Sequence, residues 1–333
     1  MTWIQSTGVW APWLFVALFL AASGLMIWRL EAMSARGVEG TVLGTLVMPY
    51  CSGAGNIVFT VILARQGGPG SEVMVNALVN NVTNLTLLVG LPALLWGMNV
   101  VNPAGQGRAR RKNRARTDGA TPELNRLSLL LTLLAVLFFS GATWALGRDG
   151  RLDFNDGLVL VGLFLFWQAF HLFEVLKGNV RQGRWFDWRL PLDLGVLALG
   201  TWAVYVSTHW LVNWVLAIPS GFVSAKHLGW LSGWLMVLPN AVLALYYGGR
   251  GRPEVVYTSQ VGDGHICIPL CVGLYALCQP LRLPTFFPTG LALLLGVTAV
   301  HLLFVALLGR LPRWAGGALL AAYGVFLAEG LLP

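Results

Sequence analysis

The chain has 333 residues, 56% of them hydrophobic and only 11% charged, with a formal net charge of +8 and a mean hydropathy of +0.68. A soluble domain carries roughly a quarter charged residues, so this composition cannot cover a water-facing surface. It excludes a soluble enzyme and a disordered chain. The 40 glycines and 15 tryptophans suit membrane helices that approach closely and carry aromatic belts at both interfaces.

A membrane span needs about 20 mostly apolar residues. In chain order, such stretches fall at about 9–30, 41–64, 73–99, 124–147, 155–176, 192–216, 228–247, 255–279, 285–308 and 312–331. The first is preceded by Trp3 rather than a basic segment, so it reads as an anchor and not a removed leader. The predicted fold class is an all-α polytopic membrane protein with ten transmembrane helices. With the N-terminus outside, 17 Lys and Arg fall in inside loops and 5 in outside loops. That asymmetry supports both termini outside.

The run Arg108-Ala-Arg-Arg-Lys-Asn-Arg-Ala-Arg116 lies in a loop between spans and carries no interleaved aromatics. It reads as a topology determinant for the lipid bilayer's anionic headgroups, not as a nucleic-acid patch. Cys51, Cys267, Cys271 and Cys278 all lie in apolar stretches, without disulfide or zinc spacing. Asn81-Val-Thr83 and Asn84-Leu-Thr86 match the glycosylation pattern but fall inside a span, which removes them from consideration.

Two stretches repeat. Pro49 to Asn56 and Val75 to Leu91 align with Leu238-Pro-Asn240 and Thr258 to Leu274. Asn56 and Asn240 are 184 positions apart; Asn76 and Ser259 are 183 apart. Five spans per copy is an odd number, so the second copy inverts. The predicted halves are 1–176 and 192–333, two inverted five-helix repeats joined by a cytoplasmic hinge loop at 177–191. Inverted repeats place a binding site near the bilayer midplane, as in secondary transporters.

Polar residues inside spans face the bundle. Ser52, Asn56 and Thr60 form one i, i+4, i+8 stripe. Asn76, Asn80 and Asn84 form a second with Asn81 beside it, and Ser259, Asp263 and Cys267 form a third. Interhelical hydrogen bonds, worth about 0.6 kcal/mol each, would explain one or two of these residues. Six at matched repeat positions point to a site. The candidate ion-binding residues are Ser52, Asn56, Asn80, Asn81, Asn84, Asn240, Ser259 and Asp263. Asp263 is the sharpest of them, roughly 12 Å into its span at 1.5 Å per residue, with no Lys or Arg in a span interior to pair with it. A bound cation and a proton would compete for that carboxylate. His265, two positions on, points away from it. His171 and Glu174 read as an interfacial polar pair, Asp193 as a helix cap, and Pro269 as a local helix break.

These residues resemble the alpha-repeats of the sodium/calcium exchanger family, in the calcium/cation antiporter superfamily, as a divergent member. Those repeats read approximately Gly-Thr-Ser-x-Pro-Glu and Gly-Asn-x-x-Gly-Ser-Asn-x-x-Asn. Here the alpha-repeats are 41–91 and 228–274. Asn76, Asn81 and Asn84 match the second motif, Asn80 replaces its Ser, and Gly262 and Pro239 match in the second copy. The signature acids are replaced by Asn56 and Asn240, and in the second copy Asp263, Gly264 and Cys267 stand at the Ser, Asn and last Asn positions. Calcium favours several charged oxygens, which this site lacks.

The expected function is a secondary active transporter moving a cation by alternating access, with Na+ or H+ expected ahead of Ca2+. Two alternatives stay open: a calcium or other divalent exchanger with a reduced-acid site, or a non-transporting membrane subunit or sensor. No nucleophile–base pair or metal-ligand set suggests an enzyme, and no cofactor is expected. The expected location is a bacterial inner (plasma) membrane.

Overall fold

The structure, a computed structural model, describes residues 10–36, 50–51, 53–99, 122–179, 189–262 and 264–331. Its helices are α1 (Ala11–Ala35), α2 (Ala54–Gln66) and α3, which runs as Gly70–Thr83, Asn84–Leu88 and Val89–Trp96. Then follow α4 (Pro122–Leu146), α5 (Phe154–Asn179), α6 (Leu190–Leu216) and α7 (Leu228–Gly249). α8 comprises Pro253–Gly262, Gly264–Ile266, Cys267–Val272 and Gly273–Cys278, followed by α9 (Phe287–Leu308) and α10 (Arg313–Leu331). Among the described residues, nine helical stretches are long and apolar enough to span a bilayer. α2 is shorter, and most of the earlier part of the span expected at 41–64 lies outside the described residues. Gly67 stops α2 by taking φ +66°, a left-handed backbone open to glycine at little cost.

α3 and α8 are the central helices. The most apolar windows of these two are 78% and 71% buried, against 22% to 44% in the other spans. The outer helices turn large apolar side chains such as Phe166, Trp202 and Leu307 outward, where lipid replaces water. α1 packs along α6 and α4 along α9; α3 packs on α7 and α10, while α8 packs on α2 and α5. Exchanging the first five helices for the last five maps this set of pairings onto itself.

Backbone details follow the same exchange. Both central helices pass through a π-helical segment, Asn84–Leu88 in α3 and Cys267–Val272 in α8, whose first residues are 183 positions apart. Pro269 lies inside the second segment, so the expected helix break is instead a π-bulge, which absorbs the amide that proline lacks. β1 (Met98–Asn99) pairs antiparallel with β4 (Arg310–Leu311), and β2 (Arg151–Leu152) with β3 (Leu281–Arg282). Because α9 starts after β3 and ends at β4, the two ribbons sit at opposite ends of the bundle. Two glycine contacts let backbones touch. A Cβ on Gly316 would lie 2.6 Å from the Gly90 carbonyl oxygen, and a Cβ on Gly157 would lie 2.9 Å from that of Gly273. Gly90 and Gly273 are again 183 positions apart.

Candidate functional site

α2 and α3 meet through amides. Asn84 donates from Nδ2 to Asn80 Oδ1 at 3.0 Å, and Asn80 donates from Nδ2 to Asn56 Oδ1 at 3.5 Å. All three residues are buried. One turn earlier, Asn76 donates from Nδ2 to Ser232 Oγ at 3.0 Å and to Met236 Sδ at 3.4 Å, fixing α3 to α7. The spacing of four brings these amides onto one face.

Asn81 faces α8. Its Nδ2 donates to the Ala77 carbonyl at 2.7 Å, while its Oδ1 is buried and takes no hydrogen bond among the described residues. A Cβ on Gly264 would lie 3.2 Å from that oxygen. Asn81 and Gly264 are 183 positions apart, the same offset as the first residues of the two π-segments. Thr60 Oγ1 and Gln260 Oε1 are likewise buried without a hydrogen-bond partner among the described residues. Acceptor oxygens in this condition suit a dehydrated cation.

Asn56, Asn240 and Ser259 line one cavity of about 320 Å³ enclosed by α1, α2, α6, α7 and α8. Gln260 Nε2 donates to the Asn240 carbonyl at 3.3 Å and to Ser259 Oγ at 3.0 Å, and Ser259 Oγ donates to the Val256 carbonyl at 3.0 Å. Asn80, Asn81 and Asn84 do not line this cavity; Asn80 supports Asn56 from behind. The cavity reaches from Phe19 and Asn56 to Glu31, Cys51, Tyr247 and Val255. Glu31 and Tyr247 lie near the C-terminal ends of α1 and α7, Cys51 three residues before α2 and Val255 in the first turn of α8, so it extends toward one end of the bundle.

At that end Asp193, fully buried on α6, forms ion pairs with Arg29 of α1 and with Arg36, the residue just after α1. This corrects the expected helix cap, because Arg189 is the residue at the cap and makes no side-chain cap bond. A buried carboxylate needs paired charge, and α1, antiparallel to α6, supplies one arginine and the residue after it a second. His265 points outward from the centre: its Nε2 donates to the Thr132 carbonyl at 3.2 Å, and its ring lies 5.3 Å from that of Trp167. His171 packs edge-on to Trp167 at 4.5 Å. Ser52 and Asp263 lie outside the described residues, as does the side chain of Glu174.

Sequence reasoning missed Ser232, Gln260, Glu31 and Tyr247. Glu31 shares an i, i+4, i+8 stripe with Ser23 and Ile27, a signal present in the sequence; all three line the cavity. It also missed His301, which donates from Nε2 to the Leu85 carbonyl in the π-segment at 2.7 Å and accepts from the Tyr257 hydroxyl at Nδ1, 3.1 Å away. Nothing in the local pattern around His301 marks this contact. Among the described residues no group of three or more His, Cys, Asp or Glu is placed to hold a metal ion.

The sodium-calcium exchanger NCX_Mj has a similar fold. Its structure soaked with 10 mM Na+ and zero Ca2+ matches with a TM-score of 0.63 at 18% identity, covering 99% of this chain and 100% of that one. The form soaked with 100 mM Na+ and 10 mM Sr2+ matches at 0.63 and 21% identity, over 96% and 97% of the two chains. Comparison with curated proteins gives no match. The profile of the family described as sodium/calcium exchanger protein matches residues 7–173 and 192–329. With nearly the whole chain matched, this integral membrane protein belongs to the sodium/calcium exchanger protein family, whose members are cation antiporters and not enzymes.

Proposed function

We propose that the chain exchanges cations by alternating access through the Asn56–Asn240 cavity, with a monovalent cation or a proton as the coupled ion. The observation that carries this is the chemistry of the lining. Both positions where the family holds acids contribute neutral amides to one cavity, with the Ser259 hydroxyl beside them. A divalent ion wants several charged oxygens; neutral dipoles with a single nearby charge balance one positive charge. Asp263, eight residues into its expected span, is the carboxylate at which cation and proton compete.

In this reading 1–176 and 192–333 are inverted copies joined at 177–191, and the paired π-segments, ribbons and glycine contacts support that division. Alternating access then becomes movement of one set of helices against the other around a fixed site. The cavity extends toward the end that holds Arg29, Arg36, Arg250 and Arg252. The excess of Lys and Arg supports a cytoplasmic position for that end, in this reading at a bacterial inner membrane with both termini outside.

Flux in reconstituted vesicles tests the proposal. Opposed gradients of Na+, H+ and Ca2+ should drive exchange of a monovalent pair. The double change Asn56→Ala with Asn240→Ala should weaken half-saturation about tenfold, equivalent to ~1.4 kcal/mol of binding. Ca2+ exchange with no monovalent component would overturn it.

A further inference from the structure

We propose that Glu31 is a cation-binding carboxylate at the mouth of the cavity, forming with Tyr247 an outer site that a monovalent cation occupies before reaching Asn56 and Asn240. The inference rests on the transport reading above and adds a site to it. Among the described residues, Glu31 is the one charged group that lines the cavity. Its carboxylate accepts a hydrogen bond from the Tyr247 hydroxyl on the facing helix α7, so the two walls meet at this point.

Among the described residues, no arginine of that end forms an ion pair with Glu31. Arg29 and Arg36 pair with the buried Asp193 and Arg250 lies over the Tyr246 ring, 4.3 Å from its centroid, while Arg252 lies over the Tyr247 ring at 5.2 Å without pairing with the Glu31 carboxylate. Glu31 makes no ion pair among the described residues, and its side chain is exposed. A carboxylate that faces a cavity in a membrane protein, with four arginines at the same end and none on it, has its charge left for something mobile. A single negative charge beside a phenol oxygen matches one monovalent ion.

Spacing separates this site from the inner one. Asn240 and Tyr247 are seven residues apart on α7, roughly 10 Å at 1.5 Å per residue, too far for one ion to touch both. Glu31 therefore raises the local cation concentration and holds the ion after it sheds its outer water, while Asn56, Asn240 and Ser259 receive it deeper in.

The test uses the full-length protein in detergent at constant ionic strength, with choline replacing the test ion. Thermal stabilisation is titrated with Na+, Tl+ and Ca2+ for the parent, Glu31→Gln, Glu31→Asp and Tyr247→Phe. Gln keeps the hydrogen bond to Tyr247 but loses the charge. The expected result is that Na+ or Tl+ stabilises the parent, that Glu31→Gln weakens the apparent affinity about tenfold, and that Glu31→Asp restores most of it. Equal ion affinities in parent and Glu31→Gln would overturn the site; Tyr247→Phe, which removes the phenol oxygen but leaves the charge in place, should weaken affinity less than Glu31→Gln does. The Asn56→Ala, Asn240→Ala double variant separates the two ideas. If it loses ion stabilisation and Glu31→Gln does not, the inner site stands and the mouth site falls. If no ion stabilises the parent, both fall.

Discussion

Asn80 donates its amide to Asn56 Oδ1 across 3.5 Å, joining the middle of α3 to the first helix of the site, α2. Asn80 also accepts from Asn84, so one side chain holds two others in place. Asn80→Ala should therefore lower stability by roughly 1 kcal/mol, the range of interhelical hydrogen bonds in membranes. It should also weaken cation stabilisation, although Asn80 does not line the cavity. Unfolding midpoints with and without ion check both effects, and the exposed Asn155→Ala should change neither.

Restoring the acids should change the ion. Asn56→Glu with Asn240→Glu places two carboxylates on the cavity wall, and charge count sets the affinity of an oxygen site for calcium. Isothermal titration should give calcium binding at least about tenfold tighter than the parent, ~1.4 kcal/mol. Tight calcium binding by the parent itself would show that the missing acids are immaterial.

Asp263→Asn keeps size and much of the hydrogen-bonding capacity while removing the titratable charge. Coupled flux in vesicles should be abolished, with folding intact. Asp156 provides the control: its carboxylate accepts from the Asp153 amide at 2.9 Å in the first turn of α5, and Asp156→Asn keeps an acceptor there. That variant should transport normally.

The glycine contacts should be intolerant of a single methyl. A Cβ at Gly316 meets the Gly90 carbonyl oxygen at 2.6 Å and the Leu94 amide nitrogen at 2.7 Å, both backbone atoms that cannot turn aside. Gly316→Ala should cost about 1 to 3 kcal/mol through overpacking and cut the yield of monodisperse protein. Gly317→Ala, with nothing within 4 Å of its added carbon, should behave as the parent. Size-exclusion profiles and thermal midpoints compare the two.

The apolar stretches, the motif offset and the family resemblance were legible in the sequence by itself. An apolar stretch long enough to cross a bilayer is a local property, and an offset of 183 or 184 between motifs needs no coordinates. Asn56, Asn240 and Ser259 could be singled out for the same reason: a polar residue in a hydrocarbon span is costly wherever its partners lie. Only the tertiary structure decided which stripes meet. It put Asn56, Asn240 and Ser259 on one cavity, set Asn80 and Asn84 behind the wall, gave Asp193 to Arg29 and Arg36, and turned Glu31 toward Tyr247. In water, the apolar face of a helix announces how the helix is rotated. In a bilayer, lipid is as apolar as the core, so the apolar residues of α1, α6 and α9 are spread almost evenly around each helix and encode its rotation only weakly. That rotation is settled by close backbone contacts such as Gly90 against Gly316, and by buried polar groups finding partners across helices far apart in the chain.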